Sequence, residues 1–240
     1  MNERPWLPTA VLALAVVVAG ALVGRGIERF RASDRSVSVK GVAERTVQAD
    51  VGLWPLRLVS ASDDLDAAQR KLQRDRHAVL AFLATFGLDS TRSELQGFEV
   101  NDTRANPYGG GQAPVRFIIT ATLMVRTTEP ERILKASQRV GDLVAAGVVL
   151  SSGGAGFGGP TYLFTKLNDL KPEMVAEATA NARKAAAEFA RQSGSAVGGI
   201  RRASQGVFEI LPRDQAPGVT QESQVQKTLR VVSTVEYALR

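Results

Sequence analysis

Three groups of residues in this chain have types and spacings that could carry chemistry. The stretch Gly154–Gly159, GAGFGG, matches the letters of G-x-G-x-x-G, whose glycines let a pyrophosphate approach the backbone at a helix N-terminus. Here Pro160 and the strand-like Thr161–Phe164 follow instead of a helix, so the glycines read as a flexible hairpin or crossover. His77 is the single histidine. It falls five residues beyond Leu72, off the apolar stripe of its helix, and zinc or triad chemistry needs partners that the chain lacks. It reads as a solvated helix residue. Asp63, Asp64 and Asp66 could offer oxygens to Mg²⁺, but in the first turn of a helix they complement its dipole. The chain has no cysteine, which excludes a disulfide framework and a thiolate metal site. No residue is therefore nominated as catalytic, cofactor-binding or metal-ligating.

The elements that would position such groups are better marked. In Glu177–Gly194, EATANARKAAAEFARQSG, and just before it, Val175, Ala178, Ala182, Ala185, Ala186 and Phe189 recur at steps of three and four. They define one apolar stripe with Glu173, Glu177, Lys184, Glu188 and Arg191 off it. Pro172 suits the first helical position, Asn168 or Asp169 can cap upstream, and Gly194 can end the helix in the left-handed conformation. A stripe that is nearly all alanine lets the helix backbone lie very close to a sheet. Its role is packing.

Upstream, SVSVKGVAE places Val37 and Val39 on one face, and TVQADVGL does the same for Val47, Ala49, Val51 and Leu53. Trp54-Pro55 then shifts the pattern to Leu56 and Leu58, with the proline implying an edge strand or a bulge. Ser62 is placed to cap a helix with the stripe Leu65, Ala68, Leu72, Val79, Leu83 and Phe86, stopped by Gly87. A short strand around Leu95–Val100, a polar loop and the alternating Val115–Val125 follow. Thr128–Glu131 reads as a capping box opening a helix through Ile133, Ser137, Val140 and Val144 to Gly147. Strand-like pieces around Val148 and Tyr162 precede the alanine helix, and QGVFEIL and TLRVVSTVEYAL close the chain. The order ββαββαββαββ predicts an α+β fold of largely antiparallel sheets covered by helices, with a repeat that suits two related halves.

Length and composition set the class. A chain of 240 residues, 44% hydrophobic and 22% charged, can bury a substantial core. The net charge of +6 is concentrated near the start, where the first 35 residues hold five arginines against three acids. Elsewhere the basic groups are scattered without interleaved aromatics, so nucleic acid is not an expected partner. Pro5–Gly24 carries no charge, and twenty helical residues span about the 30 Å of a bilayer core. Residues 1–32 read as a membrane anchor, formed by a transmembrane helix, and juxtamembrane linker, and 33–240 as the folded domain. Trp6 would sit at one interface, with Arg25, Arg29, Arg31 and Arg35 beyond the other. Ala19-Gly20-Ala21 keeps a cleaved signal peptide open as the alternative. Four arginines after the segment and one before it favour a cytoplasmic domain by the positive-inside rule, yet long domains translocate regardless of flanking charge.

RSVSVKGVAERTVQADVGL, FLATFGLD, YLFTKLND, the alanine helix followed by Gly194 and Gly198-Gly199-Ile200, and the closing VVSTVEYAL together resemble the SIMPL domain family over Arg35–Leu239. Two positions differ from the family pattern: Ala43 stands where the second glycine of G-x-G is usual, and Ala49-Asp50 where Pro-Asp is usual. The resemblance implies an α+β fold and an exported or membrane-anchored envelope protein linked to stress tolerance, with no catalytic residue. No cofactor is expected. The expected behaviour is inner-membrane attachment through Pro5–Gly24, a periplasmic domain, and self-association as a homo-oligomer or binding of another envelope protein. An enzyme or small-molecule-binding protein with a site at a subunit interface is the alternative. The long apolar strands Val115–Val125 and Leu229–Leu239 motivate the oligomer, with Asn106–Pro114 and Pro212–Val225 as candidate contact loops.

Overall fold

The computed structural model describes residues 15, 17–21, 35–89, 93–105, 114–151 and 159–240. In chain order the elements are β1 (Ser36–Gln48), β2 (Val51–Ser62), α1 (Leu65–Thr85), β3 (Ser93–Asp102), β4 (Phe117–Thr127), α2 (Pro130–Gln138), α3 (Gly141–Ala145), β5 (Thr161–Leu163), α4 (Leu167–Gln192), β6 (Val197–Gln205), β7 (Glu209–Pro212) and β8 (Gln226–Leu239). A 3-10 turn, Gln221–Ser223, precedes β8. The fold is mixed α and β with antiparallel pairing. Of the charge-free N-terminal run, Ala15 and residues 17–21 are helical and the rest lies outside the described residues. Among the described residues no helix is long and apolar enough to cross a membrane.

The chain forms two compact units that interleave in sequence and so are not successive halves. The first comprises the chain up to Glu44, Lys171–Glu209 and Arg230–Arg240. Its sheet has the order β1-β8-β6, with β7 also on β8. The core is small: Val37, Ala182, Ala186, Val235 and Tyr237, flanked by Val39, Val197 and Leu239. The expected close approach is extreme here. A Cβ on Gly41 of β1 would overlap the Ala178 carbonyl oxygen and the Ala182 nitrogen and stand 2.8 Å from the Ala182 Cβ. Only glycine permits this contact, and the Asn181 side-chain amide then donates to Val42 O at 2.9 Å.

The second unit comprises Arg45–Leu170 and Ile210–Leu229. Its sheet has the order β3-β4-β2-β5, all antiparallel. Ile119, Ala121, Leu123 and Val125 of β4 are buried together with Trp54, Leu56 and Leu58 of β2, and α1 adds Ala68, Leu72, Val79 and Leu83. The alternation expected of β4 is therefore the inner face of a sheet. Thr165, just ahead of α4, is fastened to the β1–β2 turn: Asp50 accepts from its backbone N–H at 2.8 Å and from its hydroxyl at 2.7 Å.

Several elements differ from what the residue pattern predicts. Helix α1 is capped by Asp64, whose carboxylate accepts from Ala67 N at 2.7 Å, while Ser62 accepts from Asp64 N; Leu65 is exposed. Thr128 does not cap α2; Thr127 Oγ1 accepts from Glu129 N instead, and the helix ends at Gln138 before a separate α3. Helix α4 starts at Leu167, one turn ahead of Pro172, whose missing N–H falls so near the start that it leaves one bond unmade. Its buried positions are Met174, Ala178, Ala182, Ala186 and Ala190, spaced strictly by four; Ala185 and Phe189 are exposed. A helix pressed onto glycine buries a stripe one residue wide. The inward parity of β2 runs through Gly52, Trp54, Leu56 and Leu58, so the shift comes before Gly52 rather than at Trp54-Pro55. Pro55 sits within the pairing with β4, opposite Met124. It is tolerated because Arg57 O and Val59 N bond outward to the 149–151 segment, so the odd residues turn away from β4, and β5 spans only Val51–Leu53 on that side. The strand expected at Val148 reduces to one bridge, Leu58 to Leu150. Strand β6, Val197–Gln205, lies mostly upstream of QGVFEIL, where the alternation of residue types marks no strand and only the family resemblance, through its glycine step after the alanine helix, implies one.

Candidate functional site

The residues singled out for chemistry are not brought together. His77 is exposed on α1. Asp64 is spent on the cap, and Asp63 accepts the Arg116 backbone N–H at 3.0 Å. Gly154–Gly158 and Asn106–Ala113 lie outside the described residues, leaving Gly159 of the first stretch. Among the described residues no three His, Asp or Glu side chains converge as metal ligands.

The groups that titrate abnormally explain structure rather than reaction. Hydrogen bonding from Arg116, with the backbone N–H of Arg104 helping, holds the Asp102 carboxyl below the ordinary aspartate range. The Arg116 guanidinium reaches Asp102 Oδ2 at 3.1 Å and lies over the Phe117 ring. This clasp closes the β3–β4 end of the sheet. Lys227 is fully buried, donates to the carbonyls of Gln221 and Gln224, and has its ammonium pushed down by burial. It secures the 3-10 turn near the C-terminal end of Pro212–Val225. Burial raises the Tyr162 phenol, which lies among core residues. None of these pairs an acid with a nucleophile at a cavity, as general acid–base catalysis needs.

What the second unit does present is an uncovered apolar margin. Strand β3 ends the sheet order, and every residue from Glu94 to Asn101 is exposed. A bulge between Leu95 and Gly97 shifts its register so that Leu95, Phe98 and Val100 stand opposite Leu123, Ala121 and Ile119. All three thus share the face that α1 covers further in, yet Phe98 is 52% exposed. Between this margin and α1 is a cavity of about 130 Å³, floored by Leu58, Leu72 and Leu123 and rimmed by Gln69, Gln73 and Arg76. That is near the ~150 Å³ that accepts a benzene-sized group. A wider groove of about 560 Å³, lined by Glu94, Gln96, Met124 and Arg126, is open and polar. The smaller cavity is the better recognition feature because it joins apolar walls to a strand edge that has no pairing partner among the described residues. The residue pattern marks Leu95–Val100 as a strand but not as a surface, since apolar alternation looks the same on covered and uncovered margins.

Two positions that fit the SIMPL pattern, Gly41 in β1 and Asp50 in the β1–β2 turn, have the structural roles already described: close helix contact and the anchoring of Thr165. No curated protein matches the chain. The family model SIMPL, described as a protein of unknown function (DUF541), matches residues 37–237. The chain belongs to the SIMPL family.

Proposed function

We propose that this is a non-enzymatic, membrane-anchored envelope protein whose SIMPL domain acts by self-association or by binding another envelope protein. The single observation that carries the reading is the exposed apolar edge of β3, with Leu95, Phe98 and Val100 along one face. Apolar strand edges of this length are usually blunted or covered. The charge-free Pro5–Gly24 supports an inner-membrane anchor, with the domain in the periplasm and a role in stress tolerance following from the family resemblance.

Cell fractionation tests the anchor: full-length protein is expected in the membrane fraction, and unprocessed protein in the soluble fraction overturns it. Protease added to spheroplasts is expected to digest the domain, and protection would place it on the cytoplasmic side. A ligand thermal-shift screen tests the non-enzymatic part. Saturable stabilisation by a small molecule would favour a ligand-binding or catalytic protein instead.

A further inference from the structure

Among the described residues, each unit ends its sheet on a strand that pairs on one side only: β3 in the second unit, β6 in the first. Their two faces match in kind. On β6, Ile200 stands opposite Tyr237 and Ala203 opposite Val235, so both lie on the face that turns toward its own core, although Ile200 is 56% exposed. Arg202 and Ser204 lie on the other face, opposite Glu236 and Thr234, and Arg201 falls at the register shift between them and Ile200. On β3 the inward face offers Leu95, Phe98 and Val100, while Glu94 and Glu99, opposite Met124 and Thr120, lie on the other.

The charges decide which edges can meet. Ser93–Asp102 contains Glu94, Glu99 and Asp102 and no basic residue; Val197–Gln205 contains Arg201 and Arg202 and no acid. Pairing β3 with a second β3, or β6 with a second β6, sets like charges across a ladder, which is destabilising. Pairing β3 with β1 offers less, because Ser36–Gln48 mixes Lys40 and Arg45 with Glu44, and β5, at the other end of the second sheet, is only three residues long. Pairing β3 with β6 sets apolar residues against apolar ones on one face and the Glu94 and Glu99 carboxylates on the same face as the Arg202 guanidinium on the other.

We infer that β3 of one copy adds to the β6 edge of a second copy, with Leu95, Phe98 and Val100 meeting Ile200 and Ala203. The inference rests on the self-association reading and names its surface. Because the two edges differ, the contact is head-to-tail and leaves each copy one edge of either kind to offer. Assembly then proceeds until a ring closes or a filament grows.

The absence of native cysteine gives a clean test. Phe98→Cys or Val100→Cys is placed in one full-length chain and Ile200→Cys or Ala203→Cys in another with a different tag. The four pairs are co-expressed, extracted in mild detergent and oxidised. Cβ atoms across a strand pair are about 4.5–5.5 Å apart, close to disulfide reach. At least one pair is expected to give a disulfide dimer carrying both tags, and no variant expressed alone is expected to give a disulfide dimer. Glu94→Lys with Glu99→Lys is expected to weaken assembly at least tenfold while leaving the melting temperature nearly unchanged. A multimeric mass with no mixed disulfide from any of the four pairs, or with β3 linked to β3, overturns the inference and leaves self-association standing. A monomeric mass overturns both.

Discussion

The two units set a helix on an antiparallel sheet by opposite means. In the first, α4 presents alanines every four residues to a strand whose Gly41 has no room for a methyl group. In the second, α1 presents Leu72, Val79 and Leu83 to Leu58, Leu123 and their neighbours. Close approach between small residues gains dispersion contact from backbone atoms; wider spacing gains apolar burial from large side chains. The first solution tolerates no added volume and the second tolerates no loss of it. The difference also sets what is left uncovered, since a stripe one residue wide leaves Phe189 outside, and β3 lies at the margin of the sheet that α1 covers.

Substitutions separate the two modes of packing. The largest effect is expected from Ala186→Asp, which puts an unpaired carboxylate on a face with no exposure, at a cost of several kcal/mol, on the order of 4. Ala185→Asp, one residue along and exposed, should stay within ~0.5 kcal/mol. Equal melting temperatures for the two would show that the stripe is not buried. Next, Gly41→Ala should cost about 3 kcal/mol by overpacking and Leu83→Ala a similar amount by leaving a cavity. Gly97→Ala, where a Cβ meets only Thr122 at 3.7 Å, should cost under ~1 kcal/mol. Urea titration of the three separates these cases, and a harmless Gly41→Ala would refute close approach as the basis of the first unit.

A smaller effect is expected at the β3–β4 end. Because Arg116 and Arg104 hold Asp102 below its ordinary value, its contribution to stability is present above about pH 4 and is lost as pH falls through the native value. The melting temperature of Asp102→Asn should therefore lie below that of the parent at neutral pH. The gap should close in acid; a gap independent of pH would assign the loss to packing instead. Smallest of all, His77→Ala should change stability by less than ~0.5 kcal/mol, because the side chain is exposed. Loss of a cellular phenotype in that folded variant would reopen the enzyme class.

Strongly periodic segments are legible from residue types alone. Val115–Val125 and Leu65–Phe86 announce a half-buried strand and an amphipathic helix because burial on one face writes itself into the choice of side chain. The role of the alanine helix is legible too, but not the width of its stripe, which depends on Gly41, more than 130 residues away. Strand β6 stays hidden from periodicity, though not from the family resemblance, because VGGIRRASQ, exposed along most of its length, needs no alternation. Pro55 misleads because its effect depends on which side of β2 lacks a partner. The candidate edge is hidden for a related reason: the bulge at Leu95–Gly97 turns Leu95, Phe98 and Val100 to one face, and spacing alone would divide them between two.

Whether this domain works through association rather than chemistry is tested most directly by the mass of the full-length protein. Light scattering on detergent-extracted protein at tens of micromolar, corrected for bound detergent, should give an integral multiple of the 25.6 kDa chain greater than one. A sharp mass of one chain across that range would contradict it.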